Sequence, residues 1–226
     1  MNKSYLLHLI AFVFITANLN AQIYNVGGPV SFKLKNELKD NFDSHSMPSF
    51  DLTTQLSEDQ YNHANKIGPY RFGHEFIVNY SLQNSGIWDE LPNGDRIWRI
   101  KLISTGALSI NLVFNDFYIP YGGHLHLYNT DYSMVLGSYN HLNNNENNLL
   151  GTDLVKGDEI IVEYFEPKSI NQSSRLLIGM VVHGYRDING WYPVKVNESG
   201  ACNMDVICPD GQPWSNEIRS VARILA

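Results

Sequence analysis

Alternation of apolar and polar residues dominates the chain from residue 69 to about residue 190. In Arg71–Leu82, for example, Phe76, Val78 and Tyr80 fall on one face, which is the period of a half-buried β-strand. Similar stretches recur at about 8–12-residue spacing, which is typical of a β-sandwich or jelly roll. The other predicted strands are Arg96–Ile103, Ala107–Phe114, His124–Tyr128, Met134–Tyr139, Glu159–Phe165 and Arg175–Tyr185.

Turn residues separate these stretches. Leu91–Asp95 contains Asn93-Gly94, a pair that accepts positive φ at low cost. Val155–Asp158 also reads as a turn, and the asparagine-rich run Asn140–Asn148 predicts an exposed loop. No helix-length amphipathic segment interrupts the series, which disfavours an α/β fold. We therefore expect an all-β protein whose residues 69–190 form an antiparallel, jelly-roll-like β-sandwich.

The residues before this region, 22–68, have a weaker pattern and predict a lead-in segment. Val30–Leu34 alternates as a short strand would. Thr53–Asn65 predicts a short helix, with Ser57 as its N-cap and acidic residues in the first turn.

The pattern changes again at residue 191, and residues 191–226 predict a linker followed by the start of a second domain. The segment Asn197–Gly200 is polar and flexible in composition. The last residues form an apolar, strand-like run that ends at Ala226, and we expect the full protein to continue beyond it.

Residues 1–21 have the three parts of a secretory signal peptide. Lys3 supplies the positive charge, a short apolar stretch follows, and Ala21 offers a small residue before Gln22 at the cleavage position. Asn18 interrupts the apolar stretch before it reaches the length of about 20 residues that a membrane span needs. We expect a secreted, extracellular protein without a membrane anchor.

Composition and charge narrow the classes of function. The 226 residues are 43% hydrophobic and 12% aromatic, which supports a globular protein with a sizeable core. The chain has 16 basic and 23 acidic residues, and no basic stripe that could displace counterions from phosphates. Nucleic acid is therefore not an expected partner.

Candidate chemistry within the predicted sandwich is sparse. His124 and His126 share one strand face and could share a metal, but no third ligand is evident, so we expect exposed polar positions between core leucines. Carboxylate pairs such as Glu159 with Glu163, or Asp89 with Glu90, are expected as surface charge on strand edges. We predict no metal and no cofactor.

No nucleophilic triad is recognisable either. The sequence contains no Gly-Asp-Ser-Gly, Gly-x-Ser-x-Gly or Ala-His-Cys, and His74 and His183 are expected to be structural. Cys202 and Cys208 give a Cys-x5-Cys spacing that supports zinc binding poorly. In an exported chain they should be oxidised, either with each other or with partners beyond residue 226.

The segment around these cysteines resembles a known family. Ser199-Gly200-Ala201-Cys202-Asn203-Met204-Asp205-Val206-Ile207-Cys208-Pro209-Asp210-Gly211, followed by Glu217–Ala222, is similar to the start of the mature domain in lysyl-endopeptidase-like serine proteases of trypsin fold. Asp210 replaces the usual glutamate. The region from Arg71 to Arg186 also resembles the propeptide of secreted Bacteroidetes members, in Glu90–Arg99, Ala107–Leu112 and Val182–Arg186.

The resemblance implies a precursor of a secreted endopeptidase that cuts after Lys or Arg. Its residues 191–226 would include the first segment of an incomplete trypsin-like β-barrel. The family's catalytic His, Asp and Ser would all lie downstream of Ala226, so we predict that this chain alone is inactive. The two cysteines would pair with partners deeper in the protease domain.

The implied partners are that cognate protease domain and, for the full enzyme, protein substrates. A flexible polar segment can enter a protease site, so Lys195–Val196 is the candidate propeptide cleavage site. The rival hypothesis is a free-standing secreted β-sandwich that binds or adheres, in which Trp88, Trp98 and Trp191 could line a carbohydrate platform. We expect most of these aromatic residues in the core instead. A metalloenzyme built on His124 and His126 is a third, weaker hypothesis.

Overall fold

The computed structural model describes residues 27–34, 38 and 43–192 of the chain. Within them lie eleven strands, one α-helix and two short 3₁₀ turns. The strands are β1 (Asp43–Ser46), β2 (Gly73–Ser81), β3 (Ile87–Glu90), β4 (Arg96–Ile103), β5 (Ser109–Tyr118), β6 (His124–Asn129), β7 (Val135–Tyr139), β8 (Leu150–Gly151), β9 (Val155–Lys156), β10 (Glu159–Glu166) and β11 (Arg175–Gly184). The helix is α1 (Leu52–Asn65), and the 3₁₀ turns are Val30–Phe32 and His141–Asn143.

The strands form two sheets. Sheet A has the order β1-β4-β10-β6-β7, with β3 also pairing with β4. Sheet B has the order β2-β11-β5-β8, with β9 also pairing with β5. Strand β1 runs parallel to β4, and the other described pairs are antiparallel. Neither sheet closes into a barrel within the described ranges. The prediction of an all-β, sandwich-like fold is confirmed.

Apolar side chains from both sheets form one buried cluster. Because side chains alternate across a strand, each central strand contributes every second residue to this cluster. Sheet A contributes Trp98, Ile100, Leu102, Leu125, Leu127, Ile160, Val162 and Tyr164, and sheet B contributes Phe76, Ile110, Leu112, Phe114, Ile178 and Val181. Burial of apolar surface stabilises a fold by about 25 cal/mol per Å². This cluster is therefore the main source of the stability of the sandwich.

The predicted long strands agree with the observed ones to within a few residues. The bounds of β4 are those predicted, whereas β5 begins at Ser109 and extends to Tyr118. Strands β1, β3, β8 and β9 were not predicted, because two to four residues are too few for alternation to be recognised. The predicted turn Val155–Asp158 includes the two residues of β9.

The predicted short strand Val30–Leu34 is wrong, since this segment forms a 3₁₀ turn instead. Pro29 precedes the turn with φ −50°. The turn is closed by the N–H groups of Phe32, Lys33 and Leu34, which donate to carbonyls three residues earlier at 3.1–3.2 Å. The fixed φ of proline favours this tight conformation over an extended strand.

The predicted helix is present, but its N-cap is Asp51 rather than Ser57. The Asp51 carboxyl accepts hydrogen bonds from the main-chain N–H groups of Thr53 and Thr54 at 3.0 and 3.1 Å. Ser57 lies inside α1 and donates to the carbonyl of Thr53 at 2.9 Å. An aspartate accepts from the first-turn amides at least as well as a serine does, so the helix begins at Leu52, directly after Asp51.

Helix α1 is attached to the sandwich through a buried carboxylate. Asp59 is the buried residue of the helix, and it accepts hydrogen bonds from Arg71 at 2.7 Å, from Tyr185 at 2.7 Å and from Arg186 at 3.3 Å. Burial alone would raise the pKa of Asp59, but these three donors together lower it. The attachment of α1 is therefore polar rather than hydrophobic.

Residues 187–226 form a second compact unit, of which residues 187–192 are described. Within it, the carboxyl of Asp187 accepts from the main-chain N–H groups of Trp191 and Tyr192 at 2.9 and 2.7 Å. The predicted start of a trypsin-like barrel lies almost wholly outside the described residues. The predicted boundaries at residues 21, 68 and 190 stay predictions.

Candidate functional site

Three polar side chains form a row across the outer face of sheet A. Arg99 of β4 lies opposite Glu163 of β10, which in turn lies opposite His126 of β6. Side chains on the outer face of a sandwich sheet are ordinarily in contact with water. Glu163 and His126 are nevertheless only 1% exposed, and Arg99 is 6% exposed. Another part of the chain must cover them.

Over Glu163 and His126 the cover includes the segment 27–34, which we call the strap. The main-chain N–H of Ser31 donates to Oε1 of Glu163 at 3.1 Å. The hydroxyl of Tyr128 donates to Oε2 of Glu163 at 2.9 Å, and the Ser31 hydroxyl lies 3.2 Å from the same Tyr128 oxygen. Nε2 of His126 lies 3.1 Å from the main-chain oxygen of Gly27 and donates to it. The strap is thus bonded to the sheet at both Gly27 and Ser31.

Aromatic packing supplements these hydrogen bonds. The Phe32 ring lies 5.0 Å from the ring of Tyr128 at 74°, and 5.0 Å from the ring of Tyr132 at 81°. Edge-to-face pairs at such distances contribute about 0.5–1.5 kcal/mol beyond their buried area. Phe32 therefore anchors the strap next to the Ser31–Glu163 hydrogen bond.

The carboxyl groups near this row were expected on the surface, and for two of them the expectation is wrong. Asp89 of β3 is buried and accepts from Nη2 of Arg99 at 2.9 Å, and Glu163 lies beneath the strap. Glu159, on the same strand as Glu163, is partly exposed and pairs with Lys101 at 2.7 Å. Glu163 differs from Glu159 because the strap, which is distant in sequence, lies over it.

Tyr128 is held as a hydrogen-bond donor. Burial raises the pKa of its hydroxyl, and the neighbouring Glu163 raises it further. The phenol is therefore protonated at neutral pH and directs its hydrogen at Glu163. Each of the two Glu163 oxygens then accepts one hydrogen bond, from Tyr128 and from the strap.

His126 and His124 lie side by side, with ring centroids 5.5 Å apart and the rings nearly perpendicular. Burial lowers the pKa of His126 to about 4; the adjacent His124 lowers it too, whereas the bond to the Gly27 carbonyl opposes the shift. Burial also lowers the pKa of His124. Both rings are therefore neutral at pH 7, and Nε2 of His126 carries the proton that it donates.

The expectation that both histidines are exposed is wrong for His126, which the strap covers. Its neighbours Leu125 and Leu127 lie in the core, as predicted. Among residues 27–34, 38 and 43–192, no group of three or more His, Cys, Asp or Glu side chains is placed to hold a metal ion. His126 acts here through its hydrogen bond to the strap, whereas His124 bonds to the main chain at Gly122.

A cleft of about 410 Å³ lies elsewhere, between the β2–β3 connection and the β10–β11 connection. Its wall includes Gln83, Trp88, Arg96, Glu166 and Asn171. The Arg96 guanidinium lies 4.5 Å from the Trp88 ring centroid, and its Nε donates to Glu166 at 3.1 Å. Polar groups dominate the lining, which suits a hydrated, hydrogen-bonding ligand.

The tryptophans proposed as a carbohydrate platform differ in their surroundings. Trp98 is fully buried in the core, and its Nε1 donates to the carbonyl of Ser85 at 2.7 Å. Trp88 is partly buried and lines the cleft, where its Nε1 donates to Leu82 at 3.1 Å. Trp191 belongs to the second unit. Of the three, Trp88 is the residue that lines the cleft.

A buried serine–histidine pair joins the two sheets. Oγ of Ser104, which directly follows β4 of sheet A, lies 2.8 Å from Nδ1 of His183 on β11 of sheet B. Ser104 is 1% exposed, so a substrate cannot reach its hydroxyl. Burial and the adjacent His74 lower the pKa of His183. The pair links the two sheets, and the structural role expected for His74 and His183 stays a prediction.

The predicted processing sites and cysteines lie outside the described residues. These are Ala21, Gln22, Lys195, Val196, Cys202 and Cys208. In the part of the chain that is described, no helix has both the length and the apolar character to cross a membrane.

No protein-family model matches the chain, and no solved structure matches it. The functional argument therefore depends on the residues and contacts described above.

Proposed function

We propose that this chain is the amino-terminal part of a secreted trypsin-like serine endopeptidase precursor, in which the β-sandwich is the prodomain. The observation that carries the proposal is the Cys202–Cys208 segment with its flanking residues, which resembles the start of the mature protease domain and follows the sandwich in the chain. The prodomain would assist folding of the protease and cover its cleft until it is cut away.

The contacts in the sandwich are compatible with such a role. Glu163, His126 and the Ser104–His183 pair bond to other groups of the same chain and are buried. Groups arranged in this way stabilise a fold rather than act on a substrate. In this proposal the chemistry belongs to the protease domain, and the sandwich contributes binding and steric cover.

The proposed cut lies between Lys195 and Val196, after the last strand of the sandwich ends at Gly184. A lysine at this position fits an enzyme that cuts after basic residues and matures itself. Cleavage here would leave the sandwich intact and separate it from Cys202 and Cys208. Export requires an earlier cut, between Ala21 and Gln22.

The test is sequencing of the amino termini of the secreted products in the native host. The wild-type precursor should give termini at Gln22 and Val196. Lys195→Ala should abolish the second terminus, and Lys195→Arg should keep it if the enzyme accepts either basic residue. Lys66→Ala, at the C-cap of α1, is the matched control and should mature normally. An unchanged terminus in Lys195→Ala would contradict the proposal.

The polar cleft favours a second candidate function, that of a secreted binding module. Amide, carboxyl, guanidinium and indole groups converge there from Gln83, Asn171, Glu166, Arg96 and Trp88. This set of donors and acceptors beside an aromatic edge suits a neutral saccharide.

Calorimetric titration with neutral oligosaccharides tests this candidate. Gln83→Ala and Asn171→Ala should each weaken binding by tenfold or more, because each removes an amide from the cleft. Gln60→Ala, on exposed helix α1, should bind as the wild type does. If no oligosaccharide binds the wild type, the second candidate is wrong and the prodomain proposal is unaffected.

A further inference from the structure

The strap has the properties of a ligand bound to a surface. Its turn is closed by its own hydrogen bonds, from the N–H groups of Phe32, Lys33 and Leu34 to carbonyls within the segment 29–31. Its main chain bonds to side chains of sheet A. The Ser31 N–H donates to Glu163, and the Gly27 carbonyl accepts from His126. The strap thus docks as a preformed turn and adds no strand to the sheet.

The surface beneath the strap is organised by the sheet itself. Glu163 is held between Arg99 and His126 by strand register, and its Oε2 is bonded to Tyr128. Its Oε1 is directed at the strap, where it accepts a main-chain N–H. A main-chain N–H is common to almost all peptides, so this contact selects for a peptide rather than for one side chain.

Selectivity comes from the neighbouring contacts. The rings of Tyr128 and Tyr132 receive an aromatic side chain at the position after the N–H donor. Nε2 of His126 donates to a carbonyl earlier in the same peptide, that of Gly27. The site therefore recognises a turn in which a carbonyl, an N–H and an aromatic ring have fixed positions.

We propose that this outer face of sheet A is a peptide-binding surface, and that the strap is its built-in ligand, which a peptide of the same sequence can replace in trans. The ligand class is a short turn-forming peptide that presents a main-chain N–H followed by an aromatic side chain. The strap of a second copy of this chain meets that description. The inference concerns a site distinct from the polar cleft and does not depend on the proposed protease.

Vacancy of the surface is unfavourable, which is why exchange rather than simple release is expected. Without the strap, Oε1 of Glu163 loses the Ser31 donor within a site formed by Tyr128, His126 and Arg99. Release also exposes to water the faces of the Tyr128 and Tyr132 rings that Phe32 covers, and exposure of apolar surface is unfavourable. A peptide that restores the N–H and the aromatic ring removes that cost.

The covalent link between strap and sheet determines how the experiment must be designed. The strap is joined to β1 through the residues between Leu34 and Asp43, so its effective concentration at the surface is on the order of millimolar. A free peptide competes poorly against such a tethered segment. Weakening the tethered copy through Phe32→Ala removes one anchor and leaves Glu163, Tyr128, Tyr132 and His126 in place.

The test is fluorescence anisotropy with a labelled peptide of sequence GGPVSFKL, which corresponds to residues 27–34, added to the full chain. The peptide should bind Phe32→Ala at least tenfold more tightly than it binds the wild type. The matched control peptide, GGPVSAKL, lacks the aromatic ring and should bind Phe32→Ala at least tenfold more weakly. Near-UV circular dichroism establishes that the variant is folded.

If Phe32→Ala does not fold, Phe32→Leu retains apolar bulk and takes its place with the same expectation. A folded variant that fails to bind GGPVSFKL at millimolar concentration would overturn the proposal. Equal affinity for GGPVSFKL and GGPVSAKL would overturn it as well, because the binding would then not involve the tyrosine pair.

Discussion

The main-chain N–H of Ser31 donates to Oε1 of Glu163 at 3.1 Å, although 132 residues separate the two in the chain. This contact makes the beginning of the described chain part of the sandwich. It also explains how a carboxyl group on the outer face of a sheet comes to be 1% exposed. The stability of the sandwich and the docking of the strap are therefore coupled through one side chain.

We expect Glu163→Ala to lower the free energy of unfolding by about 2–4 kcal/mol. The change leaves the Ser31 N–H and the Tyr128 hydroxyl without their acceptor in a buried site and creates a small cavity. Urea denaturation followed by tryptophan fluorescence measures the loss.

Glu159→Ala is the matched control on the same strand. Its carboxyl is partly exposed and pairs with Lys101, so we expect a change within about 1 kcal/mol. Equal losses for the two variants would mean that the strap contributes nothing to the stability of the sandwich.

The stability of the protein should decrease as the pH falls from about 6.5 towards 4. The pKa of His126 is lowered to about 4 in the folded state, so the unfolded chain binds more protons than the folded chain within this window. At about 1.36 kcal/mol per unit of pKa, His126 contributes a loss on the order of 3 kcal/mol. His124 and His183, whose pKa values are also lowered by burial, act in the same direction.

His126→Gln isolates the contribution of His126, because the glutamine amide can still donate to the Gly27 carbonyl but does not titrate. The groups that face His126 are His124 on its own strand, Glu163 with Arg99 behind it, and the strap carbonyl. Urea denaturation at pH 7 and at pH 4.5 should show a smaller difference for the variant than for the wild type. His63→Gln, on an exposed part of α1, should retain the wild-type difference. A pH dependence in His126→Gln as steep as in the wild type would contradict the assignment.

Much of the sandwich was predictable from local patterns. In β4 and β10, every second residue faces the core, which gives the sequence an apolar period of two. The residues that show it are Trp98, Ile100, Val162 and Tyr164. A shift of the strand register by one residue would move all of these core side chains to the outer face. The alternation is therefore strongly constrained in central strands. The predicted bounds of β4 agree with the structure for this reason.

The strap and the row beneath it could not be predicted in this way. Glu163 has the sequence signature of an outward-facing polar residue, and it does face outward from the sheet. Its burial depends on Ser31, whose position relative to β10 is a non-local property. The 3₁₀ turn at Val30–Phe32 had a local signal in Pro29, whereas the apolar alternation of the same residues indicated a strand.

Ser104→Ala should lower the free energy of unfolding by about 1–2 kcal/mol, since it leaves Nδ1 of His183 without its buried partner. The hydroxyl of Ser104 is enclosed, so a fluorophosphonate reagent for activated serines should not modify it in the folded chain. Denaturation and mass spectrometry measure the two effects. Ser57→Ala, on exposed α1, is the control and should change stability by less than about 0.5 kcal/mol. Modification of Ser104 would show that the pair is reachable and would contradict a purely structural role.

Gly86→Ala should destabilise the protein much more than the same change at another glycine of similar backbone conformation. Gly86 has φ +77°, and a Cβ there would overlap the indole of Trp98, whose Nε1 is bonded to Ser85 at 2.7 Å. Strain at positive φ and overpacking of a buried ring together suggest a loss of about 3 kcal/mol. Gly106 has φ +82° with open space around its Cβ position, so Gly106→Ala should cost only about 1 kcal/mol. Thermal and urea denaturation of the two variants provide the comparison. Equal losses would indicate that backbone strain alone is responsible and that the Trp98 ring can move aside, which would contradict the close packing inferred for this end of the core.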